Sequence, residues 1–357
     1  MRRISAAAAT ALALVCASPA RAQAPDAHPT FTVGTATAQR GQKVFGAIRV
    51  PQGSDAGYDI PVVVIHGARP GPVLAVVSGA HGTEYASILA VQTVIDQQQP
   101  QRIAGTLVLV PLVNVASFEQ ITPHVNPIDA KSMNRFYPGT PGGTQTDRAS
   151  YAVTKEVVEK CDHLIDLHGG DLDENLRPYS YWSVTGNAVQ DETSKAMVLA
   201  FGLDHIIVSR DRPKDPNASR FLENTATTRG KPSFTAEAGR SGPVDMADAN
   251  RLSTGVEHVM QYLKMLPAPS SGVPVVQHPV WVENLVTMTA DAGGVFFPAA
   301  APGARVVKGQ KIGTVTDYLH QHARDIAATE TGMIMFIRAL PSLRKGDTIA
   351  TIGVVAP

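Results

Sequence analysis

The chain predicts an α/β fold: a mixed, mostly parallel sheet sandwiched by helices, followed by a small C-terminal β-barrel or sandwich module. Three observations carry this reading. Between Pro61 and Met265, apolar runs alternate with segments of helical periodicity, and strands that are apolar throughout need cover on both faces. PAPSSGVP, residues 267–274, is the one Pro/Ser/Gly-rich punctuation strong enough for a linker, and beyond it the helical period disappears. The tail then repeats itself weakly, KGQKIGTV at 308–315 and KGDTIATI at 345–352, each a turn followed by an alternating strand.

The elements follow in order. Residues 1–24 carry Arg2 and Arg3, an apolar stretch from Ile4 to Ala17 and two overlapping small-residue sites, Ala20-Arg21-Ala22 and Ala22-Gln23-Ala24. This is a secretory signal peptide pattern, too short for a membrane span, and it predicts a periplasmic or secreted protein. Removing residues 1–22 takes away three arginines and no acid, leaving 28 basic against 31 acidic residues, a balance that suggests neither nucleic acid nor an anionic membrane as partner. Only Cys161 remains, so no intramolecular disulfide is available and stability must come from a core, which 44% apolar content supplies.

Val73 to Val77 reads as a buried strand, and the segment after it has Ile88, Val91 and Ile95 at helical spacing, with Thr83 as a plausible N-cap. TLVLVPLV, HLIDLHGG, HIIV and SFTAEAG read as further strands. QTDRASYAVTKEVVEKC, Glu192 to Phe201 and ADANRLSTGVEHVMQYLKML read as the helices between and after them. A loop of about 25 residues, NVASFEQITPHVNPIDAKSMNRFYPG, is long enough to suspect function. The tail is similar to the sandwiched barrels of biotinyl and lipoyl domains. It has no lysine between Ile312 and Arg344 to act as a carrier, so it reads as structural or lid-forming.

The chemistry gathers at strand ends, where sheets of this kind place their sites. SGAHGTEYAS puts His81 and Glu84 on either side of a strand-to-helix turn, with Gly82 between them allowing a tight turn. His168 ends the Leu164–Leu167 strand. If the two strands are neighbours, two histidines and one carboxylate meet with a fourth position open, the donor set of a catalytic zinc. Glu237 is a carboxylate inside an apolar strand pattern, where a charge needs either a salt bridge, with Arg240 in reach, or a chemical role as general base beside a metal-activated water. Asn134 and Arg135, at the end of the long loop, offer an amide and a planar fork suited to a carboxylate.

HGTE, MNRFYPG, DLHGG and TAEAG, in that order, resemble the succinylglutamate desuccinylase and aspartoacylase family, a branch of the zinc carboxypeptidase superfamily, from about Val62 to the C-terminus. The resemblance implies a zinc carboxypeptidase-like fold with one Zn2+ per chain on His81, Glu84 and His168. It also implies Glu237 as general base and Asn134 with Arg135 on a substrate carboxylate. Many members carry an arginine shortly before the Asn-Arg pair. Residues 115–134 here hold none, only His124 and Lys131 as cations.

The organisation expected is therefore a signal peptide (1–24), a zinc hydrolase α/β domain (25–266) and a β module (275–357). The activity expected is an exported zinc-dependent deacylase for a small N-acyl amino acid. A zinc carboxypeptidase trimming short peptides and a zinc-binding protein without turnover are the rivals, and the oligomeric state stays open. Tyr179, Tyr181 and Trp182 can either line the substrate pocket or pack in the core, and Asp166 shares a strand face with His168 and can orient it. His320 and His322 read as solvated, and Cys161 as a buried thiol rather than a nucleophile.

Overall fold

The computed structural model describes residues 28–242 and 246–355, so the predicted signal peptide, residues 1–24, lies outside the described residues. The described residues begin with a hairpin, β1 (Thr30–Val33) and β2 (Ala36–Gln39), and a second antiparallel pair, β3 (Gln42–Val50) and β4 (Tyr58–His66). The α/β part continues through β5 (Arg69–Ser78), α1 (Tyr85–Gln97), β6 (Ala104–Val110), the short α2 (Val115–Glu119) and α3 (Gln145–Val153), the last extended by a π-helical turn over Thr154–Val158. Next come β7 (His163–His168), β8 (Glu174–Leu176), β9 (Tyr179–Ser183), α4 (Ala188–Phe201), β10 (His205–Ser209), α5 (Leu222–Thr227), β11 (Ser233–Glu237) and α6 (Met246–Tyr262). The last part is all strand: β12 (Val280–Thr289), β13 (Gly294–Pro298), β14 (Arg305–Val306), β15 (Lys311–Thr316), β16 (Ala323–Ala327), β17 (Gly332–Arg338), β18 (Ser342–Leu343) and β19 (Thr348–Val355).

The main sheet runs β14-β17-β19-β12-β10-β9-β11-β7-β5-β6-β4-β3, with β8 added on β17. Its centre is parallel, β11-β7-β5-β6, as are β9-β10-β12, and antiparallel pairs flank it. The run Val73–Val77 shows why such strands are apolar throughout. Leu74 and Val76 enter a core with Val91 and Val94 of α1 and Val256 and Val259 of α6. Val73, Ala75 and Val77 point the other way, into a core with Val153 of α3, Leu222 of α5 and the β1–β2 hairpin. Side chains alternate across a strand, so a sheet covered on both faces buries every position. Each fully buried Val or Leu of this run contributes about 1.5–3 kcal/mol of transfer free energy.

The predicted linker, 267–274, carries no helix or strand. Beyond it the β module has its own core around Phe296, Ile312, Ile334 and Ile352 and a separate sheet, β16-β15-β13-β18. The two repeats divide between the sheets: the first forms β15, while the second forms β19 of the main sheet. Parallel pairing of β12 with β10 and antiparallel pairing of β17 with β8 therefore carry one sheet from the α/β part into the module. The module is thus built into the wall beside the strand ends.

Candidate functional site

Parallel register brings the predicted residues together. Ser78 at the end of β5 pairs with Leu167 on β7, and His168, the next residue, pairs with Glu237 on β11. Glu237 in turn faces Tyr179 on β9. His81 follows β5 after a turn through Gly79 (φ +69°). The loop's glycine, Gly82, serves close approach rather than an unusual dihedral, because a Cβ there would lie 2.2 Å from the Phe118 nitrogen. The helix start differs from expectation. α1 begins at Tyr85 with Glu84 at the cap position, and the Thr83 hydroxyl donates to Asp171 instead of capping. That buried bond fixes the residue before Glu84 from a second loop, which capping from within the helix cannot do.

Both imidazoles present Nδ1 to the same carboxylate: His81 Nδ1 lies 2.6 Å from Glu84 Oε1, and His168 Nδ1 lies 2.9 Å from Glu84 Oε2. Each has a partner on its far nitrogen as well, Ser132 Oγ at 3.2 Å for His81 and Asp166 Oδ1 at 3.2 Å for His168. Asp166 is buried, and neither of its oxygens has an aligned hydrogen bond among the described residues; a proton on His168 Nε2 would compensate it, at the expense of the hydrogen bond that Asn134 Nδ2 can donate to that nitrogen. That tautomer leaves Nδ1 free for a metal. One ligand atom from each of His81, Glu84 and His168 falls within 4.8 Å of the others. This two-nitrogen, one-carboxylate set with supported imidazoles fits a divalent cation of zinc's kind.

Electrostatics follow from the burial. Burial alone raises Glu84, but the His81 and His168 imidazoles outweigh it and hold the carboxyl at about 2. Burial lowers His168, yet Asp166 and Glu84 together lift it well above the ordinary imidazole range. Glu237 is half-buried and makes no ion pair among the described residues, to Arg240 or otherwise. Burial pushes its carboxyl well above the usual range; His168 opposes this, and Glu84, Glu174 and Asp166 reinforce it.

These groups line a cleft of about 720 Å³, together with Asn134, Arg135, Tyr179, Tyr181 and, from the β module, Leu285, Met335 and Phe336. Trp182, predicted beside the tyrosines, is not among the lining residues. It packs edge-on against Trp281 and donates to Asp191 O, because alternate residues of β9 face opposite sides of the sheet. Asn134 is engaged locally, with Nδ2 3.3 Å from His168 Nε2 and Oδ1 accepting from Leu222 N. Arg135 keeps its fork in the cleft, 4.8 Å over the Phe221 ring, with no carboxylate in ion-pair reach among the described residues.

The cations of the long loop go to different places. Lys131 is consumed by Asp147 at 2.7 Å. His124 lines the cleft, but its Nε2 lies 2.7 Å from Asp173 and its Nδ1 3.3 Å from Asp171. Burial opposes charge there, and Asp173, Asp171 and Glu174 override it to raise His124 to about 9. Asp173 is also paired with Arg338 of β17 at 3.0 Å, so a chain of contacts runs from the module to the loop behind His168.

Sequence reasoning missed Arg212 and Glu174. Arg212 sits 3.9 Å over Phe221, the ring that also carries Arg135, and its Nε is 3.1 Å from buried Glu223. Burial, then the Arg212 charge, pulls Arg135 below its ordinary range, as expected of a guanidinium held beside a like charge. Both residues lie in polar, aperiodic segments, DRPKDPN and GGDLDEN, where only long-range pairing reveals a position.

The sequence model of the succinylglutamate desuccinylase/aspartoacylase catalytic domain matches residues 70–263. A relative, the N-alpha-acetyl-L-2,4-diaminobutyric acid deacetylase of Halomonas elongata, is 24% identical over 323 residues, 87% of this chain and 91% of that protein. A succinylglutamate desuccinylase structure from Silicibacter sp. TM1040 superposes with a TM-score of 0.78 at 19% identity, covering 89% of this chain and 97% of that one. The product-bound ectoine utilization protein EutE (DoeB) from Ruegeria pomeroyi gives 0.76 at 20% identity, covering 88% and 95%. These structural likenesses establish the fold. Because the catalytic-domain match spans more than half of the chain and contains all six residues singled out from the sequence, this protein belongs to the succinylglutamate desuccinylase/aspartoacylase family.

Proposed function

We propose that the protein is an exported, zinc-dependent amide hydrolase that removes the acyl group from a small N-acyl amino acid, with one zinc per chain held by His81, Glu84 and His168. The observation that carries this reading is the convergence of two Nδ1 atoms on Glu84, with Glu237 across the strand pair from His168 in the same cleft. The deacetylase name of the Halomonas relative supports the reaction type, and the leader pattern of residues 1–24 supports export. Zinc, when bound, lowers the pKa of a water from 15.7 to roughly 7 and polarises a carbonyl.

The chain's own residues do the rest. The Glu237 carboxylate, across the strand pair from His168, takes the proton of the attacking water and passes it to the departing amine nitrogen. Arg135, with Arg212 beside it on Phe221, holds the substrate carboxylate and fixes the amide against the triad. His81 and His168 are kept in place by Ser132 and Asp166. Metal analysis together with amine release from a panel of N-acyl amino acids and dipeptides tests the proposal. Stoichiometric zinc with release from the acyl amino acids is expected. Preference for dipeptides would move the activity to peptide trimming, and zinc without any release would leave only binding.

A further inference from the structure

Glu174 is a half-buried carboxylate that the mechanism above does not use. It lines the cleft, and its position is set from several sides. Its nitrogen donates to Asp171 O at 2.9 Å, its carbonyl accepts from Ser241 N at 2.7 Å, and it pairs with Arg338 across the β8–β17 ladder. Oε2 accepts from Asp171 N at 3.1 Å, while Oε1 has no hydrogen bond and no cation in ion-pair reach among the described residues. The cation nearby in the electrostatics, His124, has its ring nitrogens turned to Asp171 and Asp173. Burial, followed by the Glu84 charge, lifts Glu174 to about 7. A carboxylate kept this far from compensation, rigid and facing a substrate cleft, is suited to receive a positive charge from outside.

The other charges of the cleft are arranged to match. Arg135 is influenced by Arg212, Tyr181, Glu237 and Glu223, and Glu174 by Glu84, His124 and Asp171, while Glu237, which also feels Glu174, connects the two groups within one cleft. We infer that Glu174 recognises a primary ammonium on the substrate, so that the cleft selects molecules carrying both a carboxylate for Arg135 and an ammonium for Glu174. This rests on the N-acyl amino acid reading. The ammonium belongs either to the side chain of the amino acid or to the acyl group, and the two sources are separable by experiment.

Binding is measured by calorimetry on the zinc-loaded Glu237→Gln protein, which needs no turnover. One arm compares N-acetyl-2,4-diaminobutyrate with N-acetylnorvaline, in which a methyl replaces the side-chain ammonium. The second compares glycyl-norvaline with propionyl-norvaline, in which a methyl replaces the ammonium of the acyl group. In at least one arm the ammonium compound should bind about 30-fold or more tightly than its methyl partner, and adding Glu174→Gln should bring that pair to within about threefold. Zinc content and the thermal transition of the Glu174→Gln protein are recorded alongside. No ammonium preference in either arm, a preference that survives Glu174→Gln, or loss of zinc on that substitution would each overturn the assignment. Ammonium preferences that behave as expected in a wild-type enzyme that hydrolyses none of these compounds would sink the hydrolase reading and leave Glu174 standing.

Discussion

Replacing Arg135 by alanine separates a substrate contact from a structural brace. In the structure Arg135 is exposed, its guanidinium stacked 4.8 Å over Phe221, donating at 2.6 Å to the neighbouring Asn134 carbonyl and facing the like charge of Arg212. The stacking contributes about 0.5–2 kcal/mol to the fold. Removing a positive charge beside Arg212 gives part of that back, so the net stability change of the unliganded protein should stay within about 1 kcal/mol. Binding is different. Truncating one partner of a desolvated charge pair costs about 2–5 kcal/mol, much of it from the carboxylate left unpaired. Arg135→Ala should therefore lower kcat/KM by roughly 30- to several-thousandfold for an N-acyl amino acid, and far less for the same compound as its amide or methyl ester. The assay is amine release from the acid and ester pair, with a melting curve beside it. Equal losses on acid and ester, accompanied by a drop in melting temperature, would refute the carboxylate clamp and make Arg135 a brace of the long loop.

Glu237→Gln should retain zinc and fold but lose at least about a hundredfold in turnover, because the amide keeps the shape but cannot carry the proton. Turnover near wild type would place the base elsewhere, and loss of zinc would make Glu237 a ligand. His124 gives a pH signature: its folded-state value of about 9 lies above the ordinary 6.5, so its contribution to stability is complete below 6.5 and disappears as pH rises through 9. The melting temperature should fall over that window, and His124→Gln should remove this component of the fall. A pH dependence identical in the two proteins would show that the Asp171–His124–Asp173 cluster does not stabilise the loop. Arg338→Met, which frees Asp173, should shift the same window by changing the charge that His124 feels; with Asp173 no longer shared, NMR titration of the imidazole should move, and an unchanged titration would break the proposed link from module to loop.

The strands at the centre of the sheet were legible because both of their faces are covered, so Val73–Val77 and Leu164–Leu167 are apolar with little interruption. The triad was legible for the same reason, since His81, Glu84 and His168 all lie at or just beyond the ends of those strands. What escaped was set by tertiary pairing. The β1–β2 hairpin consists of two strands of only four residues, TFTV and ATAQ, and becomes recognisable only once it closes over the sheet. Thr83 reads as a cap, yet its hydroxyl goes to Asp171, a residue 88 positions away. Arg212 and Glu174 are polar residues in polar segments, and only the pairing of β8 with β17 and the stacking on Phe221 turn them toward the cleft. The separateness suggested by the 267–274 punctuation likewise gave no hint that β12 would join β10 in one sheet.

Every step of the proposed chemistry depends on His81, Glu84 and His168 forming one metal centre. The most direct test is the zinc content of the purified protein and of His81→Ala and His168→Ala, measured by elemental analysis after dialysis against metal-free buffer, with circular dichroism to show that each variant is folded. About one zinc per chain in the wild type and none retained by either folded variant is the predicted result. Full occupancy in either variant would remove that histidine from the centre and contradict the three-ligand assignment.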